Sequence, residues 1–236
     1  MRLSVIVPAY NEERNVGPCL AALAQQDIDE PFEVIVVDNA STDRTVEVAE
    51  SFKDRLNLRV IPEPCKGRGA ARATGFRAAR GEILLSTDAD GVVRPRWVRE
   101  VRDALGKDDS VAVSGPCFIM DGKPLTRFIV NVILPTSMRF HRMIFGHYWL
   151  SGFNFGIKRA AYEAAGGFNP KYDAYEDVEL SKRVHKVGYI GFFPHITVSV
   201  SGRRFNNGIV TGFGEYLKTF VQAFYRKQTP LLTDIR

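Results

Sequence analysis

Short apolar runs alternate with helical patterns throughout the first half of the chain, and this alternation is the feature that most constrains the fold. Four runs predict buried strands, at residues 3–7, 33–37, 58–61 and 82–87. The segments between them predict three helices: one at about residues 11–25, one that residues 41–43 cap and that runs to about residue 52, and one at residues 69–79. Strands that alternate with helices pair in parallel through right-handed crossovers. The sequence therefore predicts an α/β fold with a mostly parallel, twisted sheet and helices on both faces.

The second half of the chain is less regular. Residues 111–114 and 189–193 predict strands, and residues 176–186 predict an amphipathic helix. Residues 124–150 and 213–227 carry many large apolar and aromatic side chains beside basic ones. We find no internal repeat, low-complexity segment or linker. We therefore expect residues 1–236 to form a single domain with an elaborated second half.

The amino-acid composition indicates which binding partners and which cell compartment to expect. Lys and Arg (32) slightly outnumber Asp and Glu (27), and the resulting net charge of +5 suits phosphate-rich ligands or an anionic membrane surface without requiring nucleic acid. Three scattered cysteines fit a reducing compartment. The N-terminal residues predict a strand, not a signal peptide, and no uncharged run approaches the roughly 20 residues that span a bilayer. We expect a cytoplasmic protein, with contact to the inner face of the membrane left open.

Three polar clusters follow predicted strands of the sheet. They occupy residues 8–13, 38–43 and 88–90. Asp, Asn and Ser favour turns and helix caps, so each cluster alone has an ordinary structural explanation. Ligands of open parallel sheets, however, bind beyond the carboxyl ends of the strands. Three acidic or amide clusters at one edge therefore indicate a binding site.

Asp88 and Asp90 give the sharpest local pattern. Two carboxylates separated by one residue, just after a buried strand, suit a hard cation such as Mg²⁺ or Mn²⁺, which also takes oxygen ligands from substrate phosphates. The alternative is a capped turn before a helix that begins near Pro95. A calcium EF-hand fits poorly, because Gly91 comes too early in the loop and Arg99 stands where a glutamate is needed.

Two further segments carry charge suited to a diphosphate or to proton transfer. Residues 66–72 combine glycines with three cations at the start of a helix, where anions are favoured, but they lack the third glycine of a dinucleotide-binding fingerprint. Glu176 and Asp177 begin the predicted helix at 176–186, where the helix dipole stabilises carboxylates. Their alternative role is that of a general base that deprotonates an acceptor hydroxyl.

Taken in order, these motifs resemble family 2 of the glycosyltransferases, an inverting group with the GT-A fold. The matching segments cover most of residues 3–190: Val-Pro-Ala-Tyr-Asn-Glu-Glu at 7–13, Val-Val-Asp-Asn-Ala-Ser-Thr-Asp at 36–43, Lys-Gly-Arg-Gly-Ala-Ala-Arg-Ala-Thr-Gly at 66–75, Thr-Asp-Ala-Asp at 87–90, Gly-Gly-Phe at 166–168 and Glu-Asp-Val-Glu-Leu at 176–180. The resemblance implies a nucleotide-binding half at about residues 1–95 and an acceptor-binding half at about 96–236.

The resemblance also assigns donor and metal contacts. The residues that would hold the donor are Pro8, Tyr10, Glu12, Asp38, Lys66, Arg72 and Asp88. Among them Asp38 would contact the base or ribose, and Asp88 would face both ribose and metal. Asp90 would be the principal ligand of Mn²⁺ or Mg²⁺, and His195, just before a candidate strand at 197–205, is a candidate further ligand. Arg203 and Arg204 stand in a Ser-Gly-Arg-Arg-Phe segment that only loosely matches the Gln-x-x-Arg-Trp motif of processive members.

By the same resemblance, Asp177 would be the catalytic base, with Glu176 as the second candidate. The expected reaction moves a sugar from a nucleoside diphosphate sugar, a UDP or GDP sugar, to a glycan or lipid-linked acceptor. Residues 124–150 and 213–227 leave a peripheral membrane contact and a homodimer open. A sugar nucleotidyltransferase and a non-catalytic nucleotide-sugar-binding module are the alternatives. A sugar nucleotidyltransferase would carry a Gly-rich loop after the first strand, and this chain lacks such a loop. A non-catalytic binding module would not need both Asp90 and Asp177.

Overall fold

The computed structural model describes residues 2–107, 109–206 and 208–214. The strands are β1 Leu3–Ala9, β2 Phe32–Asp38, β3 Asn57–Pro62, β4 Ile83–Ser86, β5 Gly91–Val93, β6 Ala112–Ser114, β7 Cys117–Ile119, β8 Phe155–Lys158, β9 Ile190–Phe192 and β10 Val198–Val200. The α-helices are α1 Val16–Ala24, α2 Thr45–Glu50, α3 Arg68–Ala78, α4 Trp97–Lys107, α5 Pro124–Phe145, α6 Arg159–Ala164 and α7 Glu176–Val187. A 3-10 helix spans Arg203–Phe205.

Seven strands form the main sheet, in the order β3-β2-β1-β4-β8-β6-β9. The first four strands pair in parallel, as the alternating pattern predicts, and β6 also pairs with β9 in parallel. Within the described residues, only β8 of this sheet runs antiparallel to its two neighbours, β4 and β6. The sheet is thus mostly parallel, and both halves of the chain contribute strands to it.

Alternate side chains of the central strands belong to two separate apolar clusters. Val5 and Val7 of β1 belong to a cluster with α1, α2 and α4, whereas Ile6 belongs to one with α3, α6 and α7. Because successive side chains of a strand point to opposite faces, the helices cover both faces of the sheet. The continuous β-branched runs in the sequence are explained by this two-sided burial.

A second sheet has three strands in the order β5-β10-β7 and lies beside the carboxyl edge of the main sheet. Strand β10 pairs antiparallel with β5 and parallel with β7. The candidate strand at 197–205 is therefore shorter than predicted: it ends at Val200, and the chain then turns into the 3-10 helix. This turn places Arg203 next to the loop that precedes β5.

Helix α5 is the largest element that the sequence pattern left unassigned. It begins at Pro124, and the Asn131 side chain fastens it to β7 by accepting from the Ile119 N–H (2.7 Å) and donating to the Ile119 carbonyl (3.2 Å). Among the described residues, no helix combines the length and hydropathy that crossing a bilayer requires. Of the segment 213–227, residues 215–227 lie outside the described residues.

One predicted helix start was wrong. Helix α1 begins at Val16, not at residue 11, whereas α2 begins at Thr45, just after the predicted capping residues 41–43. Asn11 takes a positive φ of 52° in the preceding turn, which a helix cannot include. Asp43 still serves α2, because its Oδ1 accepts the Thr45 N–H at 3.0 Å.

Candidate active site

The loops that follow β1 and β2 are joined by polar contacts. Asn11 accepts the Thr42 N–H at 2.8 Å and donates its own N–H to Ser41 Oγ at 2.9 Å. The Glu12 N–H donates to Thr45 Oγ1 at 2.6 Å. The turn-forming explanation is therefore correct for much of these two clusters. Their contribution to the site is to hold Tyr10 and Glu12 at the sheet edge.

A cavity of about 510 Å³ opens at this edge. Eight of the predicted site residues line it: Pro8, Tyr10, Glu12, Arg72, Asp88, Asp90, Glu176 and Asp177. Two others, Asp38 and Lys66, are not among its lining residues. Asp38 instead accepts the Ser41 N–H at 3.3 Å, and its neighbour Asn39 reaches the cavity wall.

Lys66 nevertheless contacts a cavity residue. Its Nζ donates to the Tyr10 hydroxyl at 2.9 Å and lies 4.6 Å from the centre of the Tyr10 ring. The start of α3, where the sequence suggested an anion site, is occupied by protein groups. The Arg68 N–H donates to Asp173 Oδ1 at 3.1 Å, and the Gly69 N–H donates to the Tyr172 carbonyl at 2.9 Å.

Arg203 forms ion pairs with two acidic residues that line the cavity, Glu12 and Asp90. Its Nη2 lies 3.0 Å from Asp90 Oδ2 and 2.5 Å from Glu12 Oε1, while Nη1 donates to Glu12 Oε2 at 2.9 Å. Burial raises the pKa of Asp90 to about 6; the charge of Asp88 adds to this effect and that of Arg203 opposes it. The Arg203 cation thus compensates a carboxylate pair that burial disfavours.

Arg72 connects Asp88 with Glu176, the second candidate for the base. This fully buried side chain donates from Nη2 to Asp88 Oδ1 at 2.5 Å and from Nη1 to Glu176 Oε1. A Cβ added at Gly152 would overlap the Arg72 guanidinium in its present position, so the glycine leaves room for this close approach. The family resemblance assigned Arg72 a donor contact but did not predict this bridge.

Glu176 and Asp177 occupy different environments at the start of α7. Glu176 is 4% exposed and pairs with Arg72, whereas Asp177 is less buried. Asp177 Oδ2 accepts the Gly152 N–H at 2.9 Å and Oδ1 accepts the Val178 N–H at 2.7 Å, so its carboxylate is fixed in orientation. Burial raises the pKa of both groups, that of Glu176 to about 7, although the Arg72 charge opposes the shift.

The carboxylates fit a divalent cation that arrives with substrate. Among the described residues, no three His, Cys, Asp or Glu side chains gather into a metal cluster. Asp88 and Asp90 are two hard oxygen ligands, and Mg²⁺-type sites commonly use one or two carboxylates together with substrate phosphates. His195 is exposed, lies outside the cavity lining and packs edge-on to Phe193, with ring centres 5.9 Å apart. Its role as a ligand stays a prediction that this geometry does not support.

The far wall of the cavity comes from residues that the sequence reasoning missed. They are Ile133, Leu134, Ser137 and His141 of α5, with Trp149 and Phe153 of the following loop. His141 is buried, and its Nδ1 donates to the His147 carbonyl at 2.9 Å, since a carbonyl can only accept. The only available signal was the aromatic richness of residues 124–150. That pattern does not say which side chains turn inward.

Comparison with known proteins decides the family. The model of glycosyl transferase family 2 matches residues 4–166, more than half of the chain. The chain belongs to this family. The probable glycosyltransferase YdaM of Bacillus subtilis is 32% identical over 210 residues, which are 82% of this chain and 49% of that protein. The family 2 member described here thus spans about half the length of that relative.

Solved structures show the same fold. Staphylococcus aureus TarS in complex with UDP-GlcNAc superimposes with a TM-score of 0.71 at 20% identity, over 97% of this chain and 74% of that one. The mannosyltransferase PcManGT of Pyrobaculum calidifontis, in complex with GDP-Man and Mn²⁺, gives a TM-score of 0.64 at 26% identity, over 92% and 64%. The GT-A fold expected from the sequence is confirmed.

Proposed function

We propose that this family 2 member is an inverting, metal-dependent glycosyltransferase that moves a sugar from a nucleoside diphosphate sugar to a hydroxyl of a glycan or lipid-linked acceptor. The observation that carries the proposal is the convergence of Asp88, Asp90 and Asp177 on one cavity. The structural neighbours support a UDP or GDP sugar as donor, since TarS was solved in complex with UDP-GlcNAc and PcManGT in complex with GDP-Man. We also propose that residues 1–236 form a single domain, with a nucleotide-binding half at about residues 1–95 and an acceptor-binding half at about residues 96–236.

In this proposal, Asp88 and Asp90 would hold Mn²⁺ or Mg²⁺ together with the donor phosphates. The bound ion would supply Lewis-acid neutralisation of the departing diphosphate. Tyr10, with Lys66 on its ring and hydroxyl, lies beside the nucleotide. When the donor binds, the Arg203 guanidinium leaves Asp90 and contacts the donor phosphates. A cation therefore stays on the diphosphate side of the cavity.

Asp177 is the base because its carboxylate is oriented by two main-chain N–H groups and is not paired with Arg72. The acceptor oxygen forms a bond to the anomeric carbon as the bond from that carbon to the diphosphate breaks. The acceptor proton passes to Asp177, and the diphosphate leaves with the bonding electron pair. A single displacement of this kind inverts the anomeric configuration, through a transition state with oxocarbenium character.

The test is a thermal melt against nucleoside diphosphates and nucleotide sugars, each with Mn²⁺, Mg²⁺ or EDTA. A ligand that binds only the folded state raises the melting temperature by mass action. We expect one nucleotide to stabilise wild type in a metal-dependent way, to lose this effect in Asp90→Asn and to keep it in Asp54→Asn, a control at an exposed aspartate. Cooperative melts with no shift for any donor would overturn the proposal. NMR of the product's anomeric proton then tests inversion.

A further inference from the structure

Helix α5 carries an apolar face that the described part of the chain leaves open. Leu125, Phe128 and Met143 are 68%, 70% and 72% exposed. Further exposed apolar side chains of the helix are Val132, Ile133, Phe140 and Ile144. Soluble proteins rarely expose contiguous apolar surface of this kind unless it binds something.

This face adjoins the active-site cavity. Val132, Ile133, Thr136, Ser137 and Phe140 line a separate groove of about 290 Å³ on α5. Ile133 and Ser137 also line the active-site cavity, so the groove and the cavity meet at one turn of the helix. A ligand in the cavity therefore has an apolar path along α5 within reach.

The charges of α5 have one sign. The helix contains Arg127, Arg139 and Arg142, all exposed, and its sequence has no aspartate or glutamate. Apolar side chains interleaved with arginines suit an amphiphile with negative charge near its head, or the anionic surface in which such a molecule resides. A free glycan would leave the apolar groove exposed to water.

We propose that the acceptor is lipid-linked: its hydrocarbon chain lies in the groove of Val132, Ile133 and Phe140, and its hydroxyl-bearing head reaches Asp177. This inference rests on the proposed function and narrows its acceptor to one class. Each methylene that leaves water for an apolar site contributes roughly a fourfold gain in affinity. An acceptor with a chain is therefore preferred over the same head group without one.

The experiment compares methyl and octyl glycosides of the common hexoses as acceptors, below the concentrations at which the octyl compounds form micelles. Release of the nucleoside diphosphate is measured for wild type, for the double variant Val132→Ser/Phe140→Ser and for the control Val46→Ser, which changes an exposed valine of α2. We expect octyl glycosides to have at least about tenfold higher kcat/KM than methyl glycosides. This advantage disappears in the groove variant and persists in the control.

Equal kcat/KM for the two chain lengths, or an octyl advantage that survives in the groove variant, overturns the inference. If no glycoside accepts sugar, calorimetric titration with octyl phosphate and methyl phosphate decides: tighter binding of octyl phosphate that is lost in the groove variant supports it, and equal binding refutes it. A change of oligomeric state in the groove variant without a chain preference assigns α5 to a second copy instead. The donor melts report on the proposed function separately, because they contain no acceptor.

Discussion

Nη2 of Arg203 lies 3.0 Å from Oδ2 of Asp90 and connects the 3-10 helix after β10 with the carboxylate that the family resemblance assigns as the principal metal ligand. The same guanidinium pairs with Glu12, which is almost fully buried. This side-chain cation therefore stabilises the two acidic side chains of the cavity. This relationship makes Arg203 important for stability as well as for the proposed donor contact.

Replacing Arg203 with methionine should destabilise the donor-free protein by roughly 1–3 kcal/mol, because Glu12 and Asp90 lose their common partner. Urea denaturation at neutral pH measures the change. The control is Arg44→Met, which removes a similar two-bond contact to Glu47 on the exposed surface and should change stability little. Equal stability of wild type and Arg203→Met would show that solvent already compensates the two carboxylates.

Arg72→Met should cost more, about 3–5 kcal/mol, since it leaves Asp88 and Glu176 without the buried cation that joins them. Adding Glu176→Gln should restore part of that stability, because the second change removes the uncompensated buried charge. A double-mutant cycle by urea denaturation gives the coupling energy. Additive effects of the two changes would contradict a direct Arg72–Glu176 interaction.

The central strands and their two-sided burial were predictable from the sequence, because long β-branched runs are needed wherever helices cover both faces of a sheet. Strands β5, β7 and β8 were missed; they have three or four residues, as do the predicted β6 and β9, so strand length alone does not explain the difference. The helix predicted from residue 11 began too early because Asn11 and Glu12 belong to a turn whose partners lie in the loop after β2.

The positions of Asp88 and Asp90 at the cavity were predictable, because parallel strands bring their carboxyl ends to one edge of the sheet. Their roles stay predictions. The bridge from Arg72 to Glu176 was not predictable, because it depends on how α3 and α7 meet across Gly152. The cavity wall formed by His141 and Trp149 was also unpredictable, since the sequence of α5 has apolar residues on several sides and does not indicate which one turns inward.

Asp177→Asn should lower the rate of sugar transfer by about 10²–10⁴-fold while leaving the metal-dependent nucleotide shift intact, because the amide cannot take the acceptor proton. Since burial raises the pKa of Asp177, transfer by wild type should decline on the acid side at a higher pH than an ordinary aspartate would dictate. Steady-state kinetics across pH measure both effects. Glu179→Gln on the same helix is the control, because that side chain pairs with Arg183. Activity that survives in Asp177→Asn and is lost in Glu176→Gln would reverse the two roles.

His141 should make the folded protein less stable in mild acid. Burial lowers its pKa from about 6.5 to about 4, with His147 and Lys182 contributing through their charges. Between these values the unfolded chain binds a proton at this position that the folded protein excludes, so the free energy of unfolding falls as pH drops from 6.5 towards 4, by up to roughly 3 kcal/mol. The buried carboxylates with raised pKa act in the opposite direction, so the contribution of His141 is obtained by comparing wild type with a variant that lacks this histidine.

Urea titrations at several pH values should show a smaller loss of unfolding free energy in acid for His141→Phe than for wild type. The same change at exposed His195 should leave the slope unaltered, and parallel pH profiles for wild type and His141→Phe would mean that His141 accepts a proton without unfolding.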